Sequence, residues 1–258
     1  MLLAAGLSGC GGDADEPPGG GTAGGGGLAL PPTDTRFDYQ LGGVRDVPDD
    51  VGVVARDRTA DPLEGVYNIC YVNGFQTQPD EEDRWADGDL LLTDDDGELV
   101  IDEQWDEVLL DIGTEEKRDA LADVVGEWIA GCADDGFDAV EIDNLDSYTR
   151  SDDLLDLDDA EAFAELLTSA AHDAGLAIGQ KNLAEWDGSQ VGFDFAVSES
   201  CAEFDECGAY VDYYDGVVLD IEYDDAAFDA ACAEWGDEIP VVRRDLDLAP
   251  DGERAWCD

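Results

Sequence analysis

The chain has 258 residues, with 67 acidic against 12 basic side chains and a formal charge of −55. That balance excludes nucleic acid and anionic membrane surfaces as electrostatic partners, since both repel a polyanion. Hydrophobic content of 44%, with six Trp, eight Tyr and eight Phe, excludes an acidic disordered chain, which is poor in aromatics.

The charge is spread along the whole chain, and Lys117 and Lys181 are its only lysines. This is the composition of proteins adapted to concentrated salt, where the Debye length falls to about 3 Å at 1 M and self-repulsion is screened.

Residues 1–10 form a short apolar run ending in Leu7-Ser8-Gly9-Cys10. The ending resembles the lipobox of exported lipoproteins, which makes Cys10 the expected lipid attachment point. The run is too short to span a membrane and lacks the basic n-region of a signal peptide, so a start upstream of Met1 is expected. Residues 11–35, rich in Gly and carrying Pro17, Pro18, Pro31 and Pro32, have the composition of a flexible tether. The expected location is the extracellular face of the cell membrane, or the medium.

Residues 36–258 are expected to form one domain. Eight short apolar strands are predicted at 37–41, 51–56, 65–73, 138–143, 176–181, 193–199, 216–223 and 239–244. Helices are predicted at 115–133, 159–174 and 225–235. In the first, Leu121, Val124, Val125, Trp128, Ile129 and Cys132 recur at spacings of three and four behind Thr114, a good N-cap. Strands alternating with helices imply a parallel sheet, and eight of them over about 210 residues suit a (β/α)8 TIM-like barrel. The first half is poor in helices: only Arg45 to Asp50 separate the first two strands.

Apart from Cys10 there are six cysteines and no Cys-x-x-Cys, and the one histidine, His172, lies within a helix. Disulfides, and no metal site, are therefore expected. Cys70 shares strand parity with Val66 and Val72 and can face the helix layer, where Cys132 lies on the apolar face of the following helix. Cys201 and Cys207 bracket a five-residue loop. Cys232 and Cys257 are left to tie the last helix to the C-terminus.

A barrel of this kind places its site at the carboxyl ends of the strands. Those ends carry Tyr39, Asp57, Tyr71, Asn73, Asp143, Asn144, Lys181, Asn182, Glu199, Glu222 and Tyr223. No Ser-His-Asp set is possible with a single misplaced histidine, and no phosphate-binding glycine loop precedes a helix. Carboxylates among amides and aromatics suit glycosidic hydrolysis. Asp57 is read equally well as an exposed halophilic acid.

At these strand ends the sequence resembles glycoside hydrolase family 114, the endo-α-1,4-polygalactosaminidase-type barrels. The matching pieces are Tyr39-Gln40-Leu41, Ile69 to Gly74, Gly136 to Asn144, Gly179 to Asn182, Phe193 to Cys201, and Glu222-Tyr223. Asn73 departs from the family's usual Ser, and Ser200 from a common Gln.

The resemblance implies an enzyme cleaving α-glycosidic bonds in an amino-sugar polysaccharide, with Asp143 and Glu199 as its catalytic carboxylates. Asn73, Asn144, Lys181, Asn182, Glu222 and Tyr223 would then shape the sugar site. The expected partner is a polysaccharide substrate; no cofactor is expected, membrane contact is expected only through the lipid anchor at Cys10, and the chain is expected to be a monomer. The competing expectation is a carbohydrate-binding lipoprotein on the same barrel, which needs no carboxylate pair across one cleft. Lys181 beside Asp143 favours that residue as the ionised nucleophile or base. The apolar column Phe193, Phe195 and Val197 below Glu199 favours Glu199 as general acid, with Glu222 in reserve.

A chain of this charge is expected to need molar salt. Its Tm should fall strongly on dilution from molar to millimolar NaCl, and an unchanged Tm would refute salt adaptation.

Overall fold

The computed structural model describes residues 28–78, 81–85 and 89–257; the lipobox with Cys10 and most of the tether lie outside the described residues. In chain order the first strands are β1 (Arg36–Gln40), β2 (Val51–Asp57) and β3 (Tyr67–Asn73). A short antiparallel pair follows, β4 (Ile101–Asp102) and β5 (Glu107–Val108). Then come β6 (Ala139–Asp143), β7 (Ala177–Lys181), β8 (Phe195–Glu199), β9 (Val218–Glu222), β10 (Val241–Arg244) and β11 (Arg254–Trp256).

The main sheet runs β1-β2-β3-β6-β7-β8-β9-β10-β11, parallel throughout except for β11, which pairs antiparallel with β10. The eight expected strands make a TIM-like barrel. The short antiparallel ninth strand was not expected. Arg254 and Trp256 on β11 reach β1: Trp256 Nε1 donates to the Phe37 carbonyl at 2.7 Å and the Arg254 guanidinium meets Asp38 at 2.6 Å. Side-chain bonds thus close the barrel where no β1–β10 ladder does.

Strand alternation separates two cores. Phe37, Tyr39, Val53, Ala55, Ile69, Ala139, Ala177, Phe195, Val197, Leu219, Ile221 and Val242 fill the barrel interior. Gly179, paired with Phe195 in the β7–β8 ladder, is bare because a Cβ there would lie 2.6 Å from the Phe195 ring. Phe193 stands outside this column, against the sequence expectation. It precedes β8 and packs edge-on against Trp186 in the outer core.

After the short α1 (Glu82–Trp85), helices α2 (Glu115–Asp135) and α3 (Leu157–Asp173) cover one side. α2 buries Leu121, Val125, Ile129 and Cys132; Thr114 caps its start and Gly136, at φ 94°, ends it. α3 starts two residues earlier than expected, because Asp156 and Asp159 form a capping box. After β8 the chain forms α4 (Cys201–Phe204), where a loop was expected, and α5 (Cys207–Tyr214). α6 (Asp225–Glu234) follows β9. No helix separates β1 from β2 or β2 from β3, so the outer layer is thin in the first half.

Three disulfides join Cys70 to Cys132, Cys201 to Cys207 and Cys232 to Cys257, with Cα–Cα distances of 6.1, 4.8 and 5.3 Å. The first ties β3 to α2, the second encloses α4, and the third holds the C-terminal strand to α6.

Asp38 is the ionic hub of the closure. It is fully buried and faces Arg254 at 2.6 Å, Arg45 at 3.2 Å and the equally buried Arg244 at 4.0 Å. Asp38→Ala leaves these guanidinium groups without their shared counter-charge and should cost about 3–5 kcal/mol. The check is the denaturant midpoint in molar NaCl. A change below about 1 kcal/mol would show that the seam closes without this cluster.

Candidate active site

The site grows from three consecutive barrel strands. β6, β7 and β8 end in Asp143, Lys181 and Glu199, each facing the barrel axis. Each is followed by a residue in the left-handed region: Asn144 at φ 65°, Asn182 at φ 54° and Ser200 at φ 59°. The chain turns sharply away at once, leaving the three side chains at the rim. Asparagine tolerates this conformation better than most residues; Ser200 holds it as the first residue of the turn into α4.

The Lys181 ammonium lies 2.9 Å from Glu199, 3.4 Å from Asp143 and 3.5 Å from Glu141, and its side chain is 2% exposed. Burial alone would lower the Lys181 pKa, but Asp143, Glu199 and Glu141 together outweigh it and hold the group well above the ordinary lysine value. It therefore stays a cation.

Around this centre each carboxylate has further donors. The Tyr71 hydroxyl donates to Asp143 at 2.7 Å, Tyr223 to Glu199, and Tyr39 to Glu141 at 2.6 Å. Burial first, then the neighbouring carboxylates, push all three phenols well above their usual value, so they remain donors. Asn182 fixes Glu199 twice: its amide donates to the carboxylate at 3.2 Å and its carbonyl oxygen accepts from the Glu199 backbone at 2.8 Å.

Above lies a cleft of about 620 Å³. Of the residues expected at the site, Asp143, Glu199, Tyr71, Asn144, Lys181, Asn182 and Tyr223 line it. Four others do not. Tyr39 is wholly buried beneath, between Glu141 and Lys181. Asn73 is a brace, donating to Glu107 at 2.9 Å and accepting from Asn144 at 2.9 Å.

Asp57 is spent on a turn, accepting from Thr59 and, at 3.0 Å, from Gln78. Glu222 faces the helix layer, because Leu219 and Ile221 take the interior positions of β9. It accepts from the Ala202 backbone at 2.8 Å at the head of α4 and lies beside Asp220; burial raises the pKa of both. Glu222 is thus no reserve acid.

Lys181 does not divide the roles of the two carboxylates as expected, for its ammonium is nearer Glu199 than Asp143.

The structure adds residues that strand-end reading missed. Gln104, Trp105 and Glu107 come from the β4–β5 hairpin, Asp146 and Arg150 from the turn after β6, Phe204 from α4, and Leu246 from the loop after β10. Arg150 grips Asp146 through two hydrogen bonds of 2.8 and 2.9 Å and pairs ionically with Asp102 at 2.9 Å. Glu107 is held on one oxygen by the Asn73 and Gln76 amides at 2.9 and 3.0 Å. A sequence signal for this insertion existed: Asp96-Gly97 is a hairpin turn, with Gly97 at φ 81° and Thr93 bridged to Leu99. Among the described residues the one cluster spaced for a metal, Cys201, Cys207 and Asp220, has both sulfurs in a disulfide.

Acids, amides and tyrosines gathered over an open cleft at the carboxyl end of a TIM-like barrel suit glycosidic hydrolysis. Residues 22–258 match the model of glycoside hydrolase family GH114, and the chain belongs to that family. A crystal structure of Aspergillus fumigatus Ega3 in complex with galactosamine is similar over 89% of this chain and 100% of that one, at TM-score 0.70 and 23% identity. The glycoside hydrolase domain of PelA from Pseudomonas aeruginosa is similar over 84% of this chain and 97% of that one, at TM-score 0.53 and 15% identity. At these identities the likeness is one of fold. No curated protein matches the chain.

Glu141 gives the site a pH signature. Burial pushes its carboxyl up from 4.5 to about 7, against Lys181 and the Tyr39 hydroxyl, which favour the ionised form. The folded state keeps a proton that the unfolded chain releases near 4.5, so this group stabilises the fold at low pH. That contribution is lost as pH rises through about 7. Glu141→Gln should flatten the decline of Tm over this window in molar salt. An identical slope in variant and wild type would show that Glu141 titrates normally.

Proposed function

We propose that this glycoside hydrolase cleaves α-glycosidic bonds in an amino-sugar polysaccharide, with Asp143 and Glu199 as the catalytic pair. The observation that carries the reading is that both carboxylates touch one buried ammonium at the floor of the cleft. With Lys181 3.4 Å from Asp143 and 2.9 Å from Glu199, their facing oxygens are at most about 6.3 Å apart, under the roughly 6.5–9.5 Å of inverting pairs. That leaves little room for the water of an inverting enzyme and supports retention.

Asp143, shorter, less exposed and pinned by Tyr71, suits attack on the anomeric carbon. Glu199, longer and more exposed, suits proton delivery to the departing glycosidic oxygen. The bond from Asp143 to the sugar forms as the glycosidic bond breaks and the Glu199 proton passes to the leaving group. Glu199 then takes a proton from water, whose oxygen displaces Asp143, restoring the Asp143 carboxylate and the Glu199 acid.

An amino sugar is supported by the charge of the cleft. Six carboxylates, Asp102, Glu107, Asp143, Asp146, Glu199 and Asp247, line it against Lys181 and Arg150. Ega3, the related fold, was crystallised with galactosamine. Three disulfides support an oxidising, exported location. With Cys10 in its lipobox-like setting, attachment at the outer membrane face by a lipid is part of the same proposal.

Asp143→Asn and Glu199→Gln should each lower kcat on an α-1,4-galactosamine polymer by roughly 10²–10⁴-fold while leaving the salt-dependent melting curve nearly unchanged. An activated leaving group should rescue the first step in the Glu199 variant only. NMR of the first product should show the α-anomer. Near-normal turnover by either variant would remove that residue from the pair, and a β-anomer would overturn retention.

A further inference from the structure

Among the described aromatic side chains only Trp105 and Phe204 are largely exposed, 56% and 62%, and both line the cleft over Asp143 and Glu199. The remaining described tryptophans, tyrosines and phenylalanines are buried or half-buried, and the exposed surface is otherwise dominated by acids. Leaving a large apolar ring in water forgoes about 1.5–3 kcal/mol of burial, so two such rings at one cleft ask for a partner surface.

Each ring has a firm mount. Trp105 sits at the tip of the β4–β5 hairpin, whose flanking Asp102 is tied to Arg150 at 2.9 Å and Glu107 to Asn73 and Gln76. Phe204 ends α4 inside the loop closed by the Cys201–Cys207 disulfide, and α4 is anchored by the bond from the Ala202 backbone to Glu222 at 2.8 Å.

Their placement follows the strand order. Trp105 rises from the connection between β3 and β6, on the Asp143 side, and Phe204 from the connection after β8, on the Glu199 side. The carboxylate pair lies between them.

We propose that Trp105 and Phe204 are stacking platforms for pyranose rings on either side of the cleaved bond. They would make affinity depend on a run of sugars extending beyond the two that share that bond. The C–H face of a pyranose is apolar and ring-sized, and its hydroxyl edge remains free for the acids, amides and Arg150 of the walls. A flat apolar platform on each flank fits this alternation, whereas a small charged ligand would use neither. The proposal rests on the cleft being the polysaccharide site.

The test is binding by the full chain in molar NaCl, in the Glu199→Gln background, of an α-1,4-galactosamine polymer and of its disaccharide, with KM of the otherwise wild-type enzymes measured in parallel. Trp105→Ala and Phe204→Ala should each weaken polymer binding, and raise KM, by at least about tenfold. Disaccharide binding should change far less. Trp105→Tyr and Phe204→Tyr should recover most of the loss at unchanged Tm, which a mere structural role would not produce.

Polymer affinities of the alanine variants equal to that of the parent would overturn the platforms while leaving the catalytic reading standing. Equal losses for polymer and disaccharide would overturn the flanking placement. If the parent binds neither ligand, the amino-sugar reading and the platforms fall together.

Discussion

One buried ammonium organises the active end of this barrel. Lys181 is one of only two lysines in the chain, and it stands with its side chain 2% exposed among Glu141, Asp143 and Glu199. Three carboxylates crowded at the mouth of an apolar barrel repel one another, and a cation between them offsets that repulsion. The cation needs them equally, since an unpaired ammonium at that depth would lose its proton instead. Removing the ammonium would leave three carboxylates without their shared counter-charge, whereas neutralising one carboxylate leaves Lys181 two others.

That arrangement depends on what lies below it. Lys181 reaches the axis because β7 presents Ala177, Gly179 and Lys181 inward, two small residues and then a long one. The space that Gly179 leaves is taken by the Phe195 ring, which plugs the barrel beneath the polar layer. Tyr39 joins the two zones, packing with the interior and turning its hydroxyl up to Glu141 and Lys181. At the far seam the barrel closes on a second ionic hub of inverse composition, one acid, Asp38, among three arginines. A chain so short of bases places four of its twelve in these two buried hubs.

The strands and the catalytic end of the barrel were legible because period-two alternation and apolar runs are local signals. Asp143, Lys181 and Glu199 could be picked out for the same reason: each ends an apolar strand. Which way a strand faces is not local. Glu222 ends β9 as Glu199 ends β8, yet Leu219 and Ile221 claim the interior and turn Glu222 to the helices, a choice between two apolar faces that parity leaves open. Tyr39 and Asn73 have the right direction and the wrong depth, which only the stagger of neighbouring strands decides. Trp105, Glu107 and Phe204 were missed because loops carry no periodicity, although the Asp96-Gly97 turn pointed to a hairpin.

The two kinds of charge in this molecule answer to salt differently. Exposed acids repel one another through water, and molar salt screens that repulsion beyond about 3 Å. The Lys181 centre and the Asp38 hub are buried or partly buried, so salt screens their attraction much less. Salt therefore bears on whether the barrel is populated, while the alignment of Asp143 and Glu199 within it is left to buried contacts. For the proposed cationic polymer, long-range attraction to a cleft rimmed by acids is weak at molar salt, so the grip on it would come from short-range contacts. Hydrogen bonds and apolar ring faces act over that range, and the cleft walls, with Asn182, Arg150, Trp105 and Phe204, are made of them.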